Sequence, residues 1–163
     1  MRYSRLSKIV MVLALAAFAF LVTFNNITDY GSNFQFVQHV LSMDTTFDGN
    51  AAMYRAVTSP LLWTLGYWGI IAGEAITCLL LLIGGWRMIG QRTGTAADFD
   101  RSKGLVIAGA TAGFLVWFLG FIVIGGEWFL MWQSPVWNGQ DAAFRFCMII
   151  LAVLIYVTRP ETD

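Results

Sequence analysis

Four apolar stretches constrain this chain more than any other feature. Residues Ile9–Phe24 and Gly104–Ile124 carry no charge, Leu61–Trp86 carries only Glu74, and Phe144–Val157 carries only Arg145. A helix needs about 20 apolar residues to cross roughly 30 Å of hydrocarbon, with about 17 as the lower limit. The second and third stretches meet that length. The first meets it if Lys8 snorkels at one end and Asn25 sits at the other. The fourth meets it if its helix starts before Arg145, near Asp141. The pattern predicts an all-α, polytopic membrane protein, a four-transmembrane-helix bundle forming a single domain over 1–163. Its spans are expected at about 9–25, 61–86, 104–126 and 141–157, with outer loops at 26–60 and 127–140 and a cytoplasmic loop at 87–103.

Composition excludes the main alternatives. Of 163 residues, 58% are apolar and 12% charged, against about 45–50% and roughly 25% in soluble domains. So little charge cannot cover a soluble globule. The net charge is zero, so no basic surface suits nucleic acid, and the lipid bilayer is the first partner expected.

Basic residues set the orientation. Arg2, Arg5, Lys8, Arg87, Arg92, Arg101, Lys103 and Arg159 all fall on one side of this map, and only Arg55 and Arg145 on the other. The positive-inside rule then puts both termini in the cytoplasm, in a bacterial inner membrane. The apolar run from Ile9 continues through Phe24 without a polar cleavage region, so it reads as a span rather than a cleaved signal. Trp63, Trp68, Trp86, Trp128, Trp132 and Trp137 lie near the expected interfaces, as aromatic belts do, while Trp117 falls mid-span.

In the first outer loop Phe34, Val37, Val40 and Leu41 recur at helical spacing. They predict a short interfacial helix capped by Ser32 or Asn33 and lying flat on the membrane. The two outer loops also share a pattern. Phe47-Asp48-Gly49-Asn50-Ala51-Ala52-Met53-Tyr54-Arg55 aligns without gaps to Trp137-Asn138-Gly139-Gln140-Asp141-Ala142-Ala143-Phe144-Arg145. A two-plus-two duplication would explain this. It would set Arg55 and Arg145 symmetrically at the outer surface, about one turn into their helices. There they could meet a lipid phosphate, a partner carboxylate, or Asp29 and Glu127 internally. The internal ion pair is the simplest of these, because polar groups at membrane depth normally pair.

Candidate chemistry is sparse. Glu74 lies at the centre of span two, where an acid is a functional candidate by default. Gly66, Gly69, Gly73 and Thr77 form a small-residue stripe beside it, matched by Gly109 and Gly113 on span three, with Thr111 as the expected polar partner. His39 is the only histidine, so a bis-histidine haem is excluded. A metal site from His39, Met43 and Asp44 would be short of ligands, and a histidine at the headgroup interface is the simpler reading. Cys78 and Cys147 fall inside spans, away from where a thiol oxidoreductase needs them. No catalytic serine set, zinc-binding HExxH or phosphate loop is present. Gly125-Gly126 is expected to end or kink span three. No catalytic residue, metal or cofactor is predicted.

Three segments carry a resemblance: Asn25-Asn26-Ile27-Thr28-Asp29-Tyr30, Phe36 to Thr46, and Trp137-Asn138-Gly139-Gln140. Together they resemble a bacterial family of predicted small integral membrane proteins of unknown function. The resemblance covers nearly the whole chain. It implies a four-span inner membrane protein and supplies no activity.

Three functions stand against these residues. The first is a non-enzymatic accessory or assembly subunit, bound to other membrane subunits or to copies of itself. The second is a small proton-coupled transporter or carrier using Glu74. The third is a redox or lipid-associated subunit whose cofactor comes from a partner. Absent catalytic sets and aromatic-rich outer loops favour the first.

Overall fold

The computed structural model describes residues 2–162. The side chain of Arg2, one of the basic groups above, lies outside the described set. The elements are α1 (Arg2–Thr28), α2 (Tyr30–Ser42), α3 (Pro60–Gly90), α4 (Ala96–Ser102), α5 (Gly104–Phe114), a π-helical continuation (Leu115–Trp128) and α6 (Gln140–Thr158). No strand occurs among the described residues, and 4 helices are long and apolar enough to cross a membrane. α1 packs against α3 and α6, and α5 with its continuation packs against α3 and α6, which closes a four-helix ring. The protein is an all-α integral membrane protein.

Close packing between α3 and α5 follows from small residues. A Cβ at Gly113 would lie 2.9 Å from the Thr77 methyl, and one at Gly109 would lie 3.0 Å from Leu81. Such residues let helix backbones approach where the surroundings offer no hydrophobic drive. Gly69, expected in the same stripe, faces open space, and Gly66 faces Leu41 of α2. Trp117 is buried mid-bundle against Phe18 and Phe146, each ring centroid 5.5 Å away.

Several expectations are corrected. The helix in the first loop starts at Tyr30, directly after a backbone break at Asp29, not at Ser32 or Asn33. Its apolar residues face the protein: Val37 packs with Tyr67 and Ile71, and Val40 with Phe129 and Met131. α2 thus buries its apolar face against α3 and the end of the third span. The third span runs two residues past Gly125-Gly126, to Trp128. A wider hydrogen-bond pattern continues there, with Phe129 N–H bonding Ile124 O. Beyond the helix end Leu130 adopts φ 53°. Met43 at the end of α2 adopts φ 54°. Bulky residues rarely hold this left-handed conformation. Here both sit in one apolar cluster with Val40, Phe129 and Met131, whose packing offsets the strain.

The aligned loop segments fold differently. Arg145 lies within α6, whereas Arg55 ends a short 3-10 turn (Met53–Arg55) and α3 begins only at Pro60. Pro60 accounts for this, since it favours the first helical turn and holds Ser59 extended at ψ 118°. The two arginines therefore do not occupy equivalent positions on their helices.

The bundle end that carries both chain ends is tied by an ionic network. Lys8 Nζ donates to Glu161 Oε1 at 2.6 Å and to Arg159 O at 2.7 Å. Lys103 Nζ donates to the same Arg159 O at 2.9 Å and pairs with Asp100. Arg5 Nη1 donates to Gly94 O at 2.7 Å, and its guanidinium lies 5.1 Å from the Phe99 ring centroid. Arg5 Nε approaches Glu161 Oε2 at 3.5 Å. α1, α4 and the tail after α6 are thereby held together. Arg5, Lys8, Lys103 and the Glu161 side chain are all buried, so removing one partner strands a buried charge. Glu161→Ala is expected to lower stability by about 3 kcal/mol, read as a lower unfolding midpoint in detergent micelles. An unchanged midpoint would mean that the network holds nothing.

Candidate functional site

Glu74 lies 14 residues into α3, about 21 Å along the helix from Pro60 at 1.5 Å per residue. It is only 1% exposed. Residues Gly73 and Thr77 share one face of α3 and pack on Val116 and Gly113 of the third span. Glu74, one step round the helix, turns instead toward α1. Its partner is Asn26, whose Nδ2 donates to Glu74 Oε2 at 2.7 Å. Thr111, the expected partner, is exposed on the outside of the bundle. The chemistry expected from Thr111 is supplied by the last turn of α1.

Tyr67, two turns before Glu74, completes the cluster. Its hydroxyl donates to Asn26 O at 2.7 Å. Carbonyls in a helix's last turn lack an intrahelical partner, and Tyr67 supplies one. Tyr30 at the start of α2 packs edge-on to Tyr67 at 4.9 Å, and Phe34 does so at 5.9 Å. α1, α2 and α3 thus meet around one asparagine. A cavity of about 250 Å³ is lined by Glu74, Asn26, Asn33 and Tyr67 together with Phe36, Trp117, Phe121 and Phe146. Tyr67 and Asn26 were not predicted. The only signal for them was that Tyr67 lies seven residues before Glu74, on nearly the same helix face.

The remaining candidates lie apart from this cavity. His39 Nδ1 bonds Asp44 at 2.8 Å, and its ring stacks on Trp137 at 4.6 Å. Met43 points away into the apolar cluster and is 1% exposed. No group of three or more His, Cys, Asp or Glu suited to a metal occurs among the described residues. Arg55 donates to Trp128 O at 3.3 Å and stacks on the Trp128 and Tyr54 rings at 4.7 and 5.4 Å. It makes no ion pair with Asp29, and Arg145 makes none with Glu127, among the described residues. Arg145, Asp29 and Glu127 are all exposed, and Arg55 satisfies its charge on ring faces instead. Cys78 and Cys147 are free thiols buried in the bundle.

Four apolar helices, a buried acid paired across two of them and an amphipathic lid describe a small membrane bundle. Residues 4–160 match the family model described as predicted small integral membrane protein (DUF2165). The chain belongs to that family. No curated protein and no solved structure matches it.

The cluster should be measurable one bond at a time. Tyr67→Phe removes the hydroxyl and keeps the ring, so stability should fall by about 1 kcal/mol. Tyr30→Phe should be close to neutral, because the Tyr30 hydroxyl makes no hydrogen bond among the described residues. Equal losses from the two variants in micelle unfolding would contradict the bond to Asn26.

Proposed function

We infer that the protein is a non-enzymatic accessory subunit of a larger complex in the bacterial inner membrane, with both termini in the cytoplasm. The orientation rests on charge: Arg5, Lys8, Arg87, Arg92, Arg101 and Lys103 cluster at the end holding the chain termini.

The subunit reading rests on one observation at the opposite end. Arg55 is stacked against Tyr54 and Trp128. Beside it Phe47 meets Trp132 edge-on at 5.7 Å. These rings stay open: Tyr54 is 78% exposed, Phe47 60% and Trp128 53%. Arginine, tryptophan and tyrosine dominate the energetic centres of protein interfaces. The expected occupant is the outer face of a neighbouring membrane subunit. Glu74 fits a proton relay less well, since it is the one acid within α3 and its bonded neighbour is an amide.

Mild extraction at native expression, followed by native gel and mass spectrometry, tests the reading. The expected result is co-migration with a second membrane protein at fixed stoichiometry, lost in an Arg55→Ala, Trp128→Ala variant. Recovery of the chain alone, or as copies of itself, would overturn it.

A further inference from the structure

A groove of about 580 Å³ lies between the last turns of α3 and the short helix α4. Its charged lining is Arg87 and Arg101 against Asp98, with Trp86 and Gln91 beside them. Arginine stays protonated in proteins, so the lining carries an excess positive charge whatever the state of Asp98. Asp98 is already engaged: Arg101 Nη2 donates to its Oδ1 and the Thr95 hydroxyl to its Oδ2, both at 2.7 Å. The Arg87 guanidinium makes no hydrogen bond and no ion pair among the described residues. It is the charge in the groove that nothing answers.

The carbonyls at a helix C-terminus repel an anion, but three of the last four in α3 are covered. Gln91 N–H bonds Arg87 O and Met88 O at 3.1 and 3.2 Å. Ile89 O takes the Arg92 N–H at 3.3 Å and Arg92 Nη1 at 3.0 Å. Across residues 87–103, Arg87, Arg92, Arg101 and Lys103 outnumber Asp98 and Asp100. The local field therefore favours an anion in the groove.

Position separates a lipid from a soluble anion. Leu79, Leu82, Ile83 and Trp86 stand at i, i+3, i+4 and i+7, so they share one face of α3. All four are exposed, Trp86 by 74%. Arg87 continues that face one turn beyond Ile83. A tryptophan at the end of a span marks the headgroup level, so acyl chains packed along this face bring their phosphate to Arg87. A guanidinium meets phosphate oxygens two at a time, and basic pockets at the ends of spans suit anionic headgroups. The volume lies inside the range of roughly 300–1,000 Å³ that holds molecule-sized ligands.

We propose that this groove binds the headgroup of an anionic phospholipid. The phosphodiester oxygens meet Arg87, and Arg101 adds charge from α4. The acyl chains run along Ile83, Leu82 and Leu79. A zwitterionic headgroup brings no net charge to match the excess, and free phosphate leaves the apolar face unused. The proposal is independent of the subunit reading, and only the choice of leaflet follows from the orientation of the termini.

The test is native mass spectrometry of the full-length protein in detergent micelles. Phosphatidylglycerol and phosphatidylcholine with the same acyl chains are the probes, and inorganic phosphate is the competitor in a separate arm. One phosphatidylglycerol should be retained per chain, preferred by roughly tenfold or more, as one charge-assisted hydrogen bond allows. Excess phosphate should not displace it. Arg87→Gln breaks no side-chain bond of the fold and should abolish the preference, and Arg101→Gln should weaken it. Arg145→Gln removes the same charge at the opposite end and should change nothing. Retention of neither lipid, equal retention of both, an unchanged preference in Arg87→Gln, the same loss in Arg145→Gln, or displacement by inorganic phosphate would each overturn the proposal. None of those outcomes bears on whether the chain co-purifies with a partner.

Discussion

A polar group taken out of water must find its hydrogen bonds inside the protein, and in a chain this apolar very few groups can supply them. Glu74 is the sharpest case. One asparagine on α1 answers it, and one tyrosine on α3 answers the carbonyl of that asparagine. This small exchange fixes where α1 stops relative to α3. α2 begins just beyond it, where the helix is interrupted at Asp29 and Tyr30 packs back on Tyr67. The cavity lies against that corner, and the outer loops are tied to each other by Thr45–Ser134 and Asn50–Gln133 bonds.

The opposite end solves the same problem with charges. Three cations from α1 and the α4 region converge on the tail after α6, and a carboxylate and a backbone carbonyl in that tail receive them. The bundle is thus tied by ions at the end carrying the chain termini, and by the hydrogen bonds around Asn26 between α1 and α3. Between the two ends, apolar packing and close glycine contacts do the rest. Arg55, half-buried, meets the end of the third span through Trp128 and leaves its rings open.

Much of this was legible from residue order. Hydropathy alone located the four spans, because an apolar run of sufficient length has few other fates. The start of the last helix near Asp141 followed from the length a span needs, and α6 begins at Gln140. The burial of Glu74 was legible for the same reason, as was a helix over Phe34 to Leu41. What could not be read was which way side chains turn. Glu74 lies one residue from Gly73, and that single step separates the face toward the third span from the face toward α1. Val37 and Val40 give the same periodicity whether they meet lipid or protein. The matched loop segments around Arg55 and Arg145 diverge because Pro60 delays one helix, which a residue-by-residue alignment does not weigh. The terminal network was read only as an excess of basic residues, since several of its acceptors are backbone carbonyls that leave no mark in the sequence.

The central claim is that Glu74 and Asn26 are energetically coupled across α1 and α3. A double-mutant cycle on unfolding in micelles tests it directly, using Glu74→Leu, Asn26→Leu and the double variant. A coupling of about 1 kcal/mol or more is predicted, in the range seen for interhelical hydrogen bonds in membranes. Losses that add to within about 0.3 kcal/mol would mean that the two residues do not interact, and the corner that organises the bundle would have to lie elsewhere.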